Sequence, residues 1–311
     1  MKGKILQSTG SWYYVRTEDG KQYPCRLPGR FKQDLSKTTN PIAVGDDVML
    51  SRDDFSGDLV IEDILPRKNY IVRQSPRQKH FKHIIASNID QALLMVTISQ
   101  PRTSPGFIDR FLVIAEAYHI PVTILINKTD VLRAKDQPML DEILQIYPSL
   151  GYPVLLASAE KKQGITEVRT LLENKITLIA GHSGVGKSTM VNTLNPGLNI
   201  KTKNISRKWE KGMHTTTFAT MHELFDNSYI IDSPGIKELF VIEIQPEELS
   251  GYFPEMRERA QQCQYNNCLH ENEPNCAVKA ALENGNIAWS RFESYLGILN
   301  DIRSVNYWER M

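Results

Sequence analysis

The sequence has almost no net charge, few cysteines and no long apolar run, and each shortage narrows what the chain can be. A formal charge of +1 leaves no overall excess to attract nucleic acid, so any such surface must come from local clusters of basic residues. No stretch approaches the roughly 18 apolar residues needed to cross a bilayer. The first residues, MKGKILQSTGSWYYV, also lack the apolar core of a secretory signal. A cytoplasmic protein without membrane contact is expected. Internal repeats and low-complexity tracts are missing too. There are four cysteines, of which Cys263, Cys268 and Cys276 crowd into one short segment with His270, while Cys25 stands far away. That distribution suits a metal better than disulfides. What remains, 311 residues with 41% hydrophobic and 23% charged, is the composition of a soluble globular protein with room for two or three domains.

The pattern along the chain changes twice. Up to about residue 66 it consists of short β-rich runs, Trp12–Val15, Tyr23–Leu27 and Val48–Leu50, broken by Asp19-Gly20, Pro28-Gly29, Gly45-Asp46 and Ser56-Gly57. This predicts an all-β, OB-like barrel over 1–66, in which Trp12, Tyr13 and Tyr14 either stack on RNA or fill the core. Residues 67–89 read as a basic linker: Arg67, Lys68, Arg73, Arg77, Lys79 and Lys82 occur with no acidic residue between Pro66 and His83. Phosphate contact is the favoured use of that run, and a solvated linker the alternative. From 90 to 244 strands alternate with helices, which predicts an α/β domain with a parallel sheet and functional residues at the carboxyl ends of its strands. Residues 245–311 read as mostly helical, with Trp289, Phe292, Leu296 and Leu299 on one apolar face.

Within the α/β region, Gly181-His182-Ser183-Gly184-Val185-Gly186-Lys187-Ser188 fits the phosphate-loop pattern G-x-x-x-x-G-K-[ST], followed by a helix that starts near Thr189. The glycines let backbone N–H groups wrap phosphates, Lys187 offsets charge on the outer phosphates, and the Ser188 hydroxyl ligates magnesium. Asp232-Ser233-Pro234-Gly235 follows an apolar strand, placing Asp232 near the magnesium and Gly235 near the terminal phosphate. Asn127-Lys128-Thr129-Asp130 supplies base specificity, because an ionised Asp130 is acceptor-only and matches the adjacent N–H donors of guanine, a pair adenine lacks. Ser158-Ala159 resembles the loop that supports the base through a backbone N–H.

The order of these motifs is inverted. Asn127 and Ser158 precede Gly181, whereas an ordinary GTPase begins with its phosphate loop, so the domain reads as circularly permuted. The Asp232 segment then leads directly into the C-terminal region, which is expected to move with nucleotide state. Gly212-Met213-His214-Thr215-Thr216-Thr217 has the composition and position of the first switch. Thr216 is the favoured magnesium ligand, with Thr215 and Thr217 as alternatives. Ile236 stands where many GTPases carry a water-orienting glutamine, which makes slow intrinsic hydrolysis the expectation and leaves His214 to position water. The expected catalytic set is therefore Lys187, His214 and Thr216.

Cys263-x4-Cys268-x-His270-x5-Cys276 offers three thiolates and one imidazole, a closed tetrahedral set that suits one structural zinc. With Pro41–Asp46, Asn127–Asp130, Gly181–Thr189, Gly212–Thr217, Asp232–Gly235 and Cys263–Val278 in this order, the chain resembles the bacterial ribosome small subunit-dependent GTPase A family over nearly its whole length. The resemblance implies a multidomain fold: an OB-like barrel, a permuted GTPase domain and a C-terminal helical zinc domain. It also implies a monomer that binds the small ribosomal subunit and its rRNA with GTP, hydrolyses GTP to GDP on subunit stimulation, and then leaves. Met213 stands where that family usually has arginine. Two other readings are a non-catalytic RNA-binding module and another permuted GTPase that acts on the large subunit or on translation.

Overall fold

The computed structural model describes residues 1–9, 12–27, 41–53, 57–74, 82–198, 219–232 and 244–309. The first five strands are β1 (Lys2–Ser8), β2 (Tyr13–Thr17), β3 (Gln22–Arg26), β4 (Asp47–Arg52) and β5 (Leu59–Ile64). They follow the order β1-β2-β3-β5-β4, and β4 returns to β1 through Lys2↔Met49, Gly3↔Val48 and Lys4↔Asp47. That closure makes the expected barrel, here of five strands. The period-two burial of β2 separates its aromatics: Tyr13 joins Ile5, Val15 and Ile61 in the barrel core, whereas Tyr14 remains 40% exposed. Trp12 lies under the Arg26 guanidinium, 4.4 Å from ring centre to carbon.

Residues 67–89 are not an unstructured linker. They hold β6 (Tyr70–Gln74) and β7 (Lys82–Ser87), an antiparallel pair. Ile71, Val72, Ile84 and Ile85 are buried there, so β-branched residues outweigh the basic composition. Arg67 is not free for phosphate either. Its Nε donates to Asp46 Oδ1 and a terminal nitrogen to Asp46 Oδ2, both at 2.7 Å, and Lys68 pairs with Asp90 at 3.2 Å. Arg77 and Lys79 lie outside the described residues.

The α/β unit runs β8 (Gln91–Val96), α1 (Pro105–Ala117), β9 (Val122–Ile126), α2 (Gln137–Ser149), β10 (Val154–Leu156), α3 (Ile165–Leu172), β11 (Ile176–Ala180), α4 (Lys187–Leu194), β12 (Thr220–Phe225) and β13 (Ser228–Asp232). Every residue of β8 and β9 is buried, as befits parallel strands covered on both faces. One core lies under α1 and α2, the other under α3 and α4. Strands β10-β9-β8-β11-β13 are parallel, and β12 is antiparallel to β13. β11, late in the chain, is central in the sheet, the arrangement that permutation requires. β12 also pairs with β1 at Gln7↔Thr220, so barrel and α/β sheet share one hydrogen-bonded network.

The C-terminal unit contains α5 (Pro254–Ala260), α6 (Ala277–Glu283) and α7 (Trp289–Glu309). α7 packs against α1. Phe292 and Leu299 are buried in this unit as expected, but Trp289, the first residue of the helix, is 66% exposed and no part of that core. Among the described residues no helix is long and apolar enough to cross a membrane.

Candidate nucleotide and metal sites

Because the central strands are parallel, their carboxyl ends share one edge, and the motifs that follow β9, β10 and β11 converge there, with Asp232 ending β13 on the same edge. Residues 181–186 leave β11 and enter α4 at Lys187. Two glycines in this loop are required. Gly181 has φ 140° with its Cβ position 2.2 Å from the Met95 carbonyl oxygen, and Gly186 has φ 99° with its Cβ position 2.4 Å from Asn127 Nδ2. Val185 is fully buried and pins the loop, while Ser183 and Gly184 are exposed at its tip. Lys187 Nζ donates to the carbonyls of Gly181 (2.7 Å) and His182 (2.9 Å), which holds the ammonium across the loop. Ser188 and Thr189 open the helix behind it, half-buried.

Asn127 joins the phosphate loop to the base motif. It is buried; its Nδ2 donates to the Val185 carbonyl (2.8 Å), and its Oδ1 accepts from the N–H of Ala159 (3.1 Å). Lys128 takes a left-handed backbone, φ 62°, and its Nζ donates to the Gln100 carbonyl at 2.8 Å. Asp130 is exposed, with one carboxylate oxygen accepting from the Ser158 hydroxyl. Ser158 Oγ in turn accepts from the Lys161 N–H at 3.0 Å. Ser158 and Ala159 thus orient Asp130 and Asn127, where the sequence pointed to a base-supporting N–H. Asp232 ends β13 in register with Ile179 of β11. His214, Thr215, Thr216, Thr217, Gly235 and Ile236 lie outside the described residues.

Sequence reasoning overlooked a neighbour of the loop. The Phe107 ring of α1 lies against the His182 imidazole, with centroids 3.7 Å apart and planes at 30°. Nothing in the sequence signals this contact, because residue spacing cannot bring α1 to a loop more than 70 positions away.

The four metal-ligand candidates come together as expected. Their ligand atoms all lie within 4.8 Å of one another: Cys263 Sγ to Cys276 Sγ is 3.9 Å, Cys263 Sγ to His270 Nδ1 is 3.7 Å, and His270 Nδ1 to Cys276 Sγ is 3.3 Å. Thiolate and imidazole bonds of ordinary zinc length give tetrahedron edges of about 3.5–3.8 Å, so the donor set fits a four-coordinate cation. His270 takes φ 60° to turn its Nδ1 inward. The loop is set by Glu273, whose carboxylate accepts the N–H groups of Leu269 (2.7 Å), Glu271 (2.9 Å) and Asn272 (3.1 Å). Partial burial acts to raise the Glu273 pKa, but these bonds hold it below the usual carboxylate range. Burial pushes the Cys268 thiol up to about 12, so a bound cation's charge is what would keep it a thiolate.

Comparison with known proteins bears on the whole chain. The model described as RsgA GTPase matches residues 64–242 and that of the RsgA N-terminal domain residues 2–57. The protein named small ribosomal subunit biogenesis GTPase RsgA in Flavobacterium johnsoniae is 48% identical over 303 residues, 96% of this chain and 93% of its own length. Its namesake in Cytophaga hutchinsonii is 50% identical over 303 residues, 96% and 98% of the two chains. The crystal structure of YjeQ from Thermotoga maritima matches with a TM-score of 0.78 at 35% identity, covering 97% of this chain and 98% of that one. YloQ, titled a circularly permuted GTPase, gives 0.74 at 28%, covering 97% and 95%.

Proposed function

The chain belongs to the RsgA GTPase family, and on that premise we propose how its residues share the work of binding and hydrolysing GTP. It is a GTPase of small ribosomal subunit biogenesis, converting GTP and water to GDP and phosphate. In this reading it binds the small subunit and its rRNA in the GTP state, is stimulated there to hydrolyse, and leaves as the GDP form. It works as a monomer in the cytoplasm.

The backbone N–H groups from Gly181 to Thr189 hold the phosphates, and Lys187 neutralises charge on the outer two. Magnesium arriving with GTP would be held by Ser188, Thr216 and Asp232, and would supply charge neutralisation for the transferring phosphoryl group. Gly235 reads the terminal phosphate. Asp130 accepts from guanine, with Asn127 and Lys128 fixing the base loop against the phosphate loop. His214 orients the attacking water. As the new bond to the terminal phosphorus forms, the bond to the bridging oxygen breaks, GDP leaves with that electron pair, and the water proton passes to solvent or phosphate. The cysteine-histidine cluster holds one zinc in a structural role, having no open position for substrate.

The observation that carries this reading is Asn127, which donates to the phosphate loop and accepts from the loop of Ser158 and Ala159, so guanine and phosphate recognition form one unit. The test is GTP turnover against ATP, with purified small or large subunits, for the native chain, Ser188→Ala and His214→Ala. Stimulation by small subunits alone, lost in both variants, is expected. Equal rates in every mixture would sink the reading. For the metal, elemental analysis of the purified chain should return one zinc, and substoichiometric zinc with full folding would reject it.

A further inference from the structure

We infer that Arg291 of the C-terminal helix is a positioning residue for the phosphate loop, acting through Asp109 and Phe107 of α1. The inference rests on the reading of residues 181–188 as the nucleotide loop. Arg291 and Asp109 are both buried, and Arg291 donates to Asp109 Oδ1 at 2.6 Å. It also donates to both oxygens of Glu255 on α5, at 2.7 and 3.2 Å. Tyr147 of α2 adds an O–H bond to the same Asp109 oxygen at 2.8 Å, and the guanidinium lies 4.6 Å from the Phe253 ring centre. None of these groups has a place in the GTP chemistry.

What the network fixes is the position of α1. A helix carrying a buried carboxylate locked to an arginine and a tyrosine cannot slide or rotate without parting charges in a medium that stabilises them poorly. Phe107 lies on the same helix, in the turn capped by Ser104, whose hydroxyl accepts from the Phe107 N–H. Its ring meets His182, the second residue of the phosphate loop. The loop is thus steadied on one side by Asn127 and on the other by a stack whose position is set from the C-terminal unit. Arg291 stands one turn before Tyr295, whose hydroxyl donates at 2.9 Å to the carbonyl of Leu269, between two of the metal-ligand candidates. The same helix therefore ties the metal loop to the nucleotide loop.

The experiment measures binding of a fluorescent GDP, N-methylanthraniloyl-GDP, together with thermal melting, for full-length Phe107→Leu, Arg291→Met, the double variant and Lys187→Ala. Phe107→Leu keeps an apolar side chain and removes only the stacked ring. If the three residues act in series, Phe107→Leu should weaken binding by about fivefold or more, with its melting temperature close to native. Arg291→Met, assayed below its own melting transition, should lose a similar factor, and the double variant should be no weaker than the weaker single one. Native affinity within about twofold in Phe107→Leu, or losses that multiply in the double variant, overturns the inference. If Arg291→Met does not fold, Asp109→Asn, which removes the charge that Arg291 binds and keeps the side chain's shape, takes its place with the same loss expected, and native affinity in it overturns the inference. Lys187→Ala separates the two levels. Should it bind as well as native, the reading of the loop has failed; should it lose binding while Phe107→Leu does not, only the inference has failed.

Discussion

The barrel and the C-terminal helices both attach to the same α/β domain, yet they do so by different physics. The barrel joins edge to edge: β1 meets β12 at Gln7↔Thr220, and Arg16 pairs with Glu223 across side chains that are 24% and 38% exposed. Water and salt compete for that pair, and it can part and re-form at little cost. The helical unit joins through Arg291 and Asp109, 1% and 0% exposed, with Glu255 and Tyr147 bonded into the same network. Burial makes the pair no better as a source of net stability than an apolar contact would be, but it makes separation expensive. The comparison teaches that the charged contact at the barrel, the hinged side, is open to water and free to part, while the one at the helical unit, the locked side, is not. Leu6 and Val44 nevertheless also tie the barrel into the α/β core. The hinged side adjoins β12 and β13, the second of which ends at Asp232. The locked side adjoins α1 and the phosphate loop.

Breaking the locked side should give the largest effect. Arg291→Ala leaves Asp109 and Glu255 buried without their partner and should cost about 3–5 kcal/mol in chemical denaturation, with exposure of the C-terminal unit to protease as a second readout. A loss below about 1 kcal/mol would mean the network is not closed to water. Next comes the anchor between barrel and hairpin. Asp46 accepts from Arg67 twice, from Ser87 Oγ at 2.6 Å and from the Ala43 N–H at 2.8 Å. Asp46→Ala should cost about 1.5–3 kcal/mol, less than Arg291→Ala because Arg67 retains some access to water. Should it cost more, the barrel is the more tightly held neighbour and the contrast reverses.

These differences were not equally legible in the sequence. The phosphate loop, Asn127–Asp130 and the cysteine-histidine cluster were, because each packs its chemistry into a few consecutive residues with fixed spacing. Permutation was legible as well, since it changes only motif order. The Arg291–Asp109 pair joins residues 182 positions apart, and no local pattern distinguishes either from a surface charge. The hairpin after the barrel was hidden by its basic composition. Ile71, Val72, Ile84 and Ile85 carry the β signal there, and their burial outweighs the charge of Arg67 and Lys68, both of which have acidic partners. The bond from the Ala159 N–H to Asn127 was not legible, because it depends on where two loops meet. His214, Thr216 and Gly235 fall outside the described residues, and the turnover experiment tests His214 directly.

Alkaline pH should sharpen the comparison with a smaller effect. Tyr147 and Tyr152 both brace the locked side, through Asp109 and Glu116, and burial first, then those carboxylates, holds both phenols far above their usual range. Since the folded pKa is raised, the stabilisation is fully present below about pH 10 and is lost as pH climbs beyond it, where the unfolded chain releases protons that the native one retains. Each phenol should steepen the fall in stability by about 1 kcal/mol per pH unit near pH 10.5. Tyr147→Phe should flatten that slope whatever its effect on stability at neutral pH. An unchanged slope would show that Tyr147 reaches solvent.

The smallest effect belongs to the hinged side. Arg16 bonds Glu223 and lies 5.6 Å from the centre of the Tyr229 ring. Part-exposed ion pairs of this kind contribute about 0–1 kcal/mol, so Arg16→Ala should leave the melting temperature nearly unchanged. Its consequence should instead be mechanical, because Glu223 and Tyr229 lie on β12 and β13, next in the chain to the residues proposed to hold magnesium and the terminal phosphate. With the pair gone, hydrogen exchange at β1 and β12 should quicken, and any difference there between the GTP and GDP forms should shrink. Exchange at α1 and α7 should stay as in the native chain. If exchange quickened at α7 as well, the two junctions would be one mechanical unit, and the contrast between a hinged and a locked neighbour would not hold.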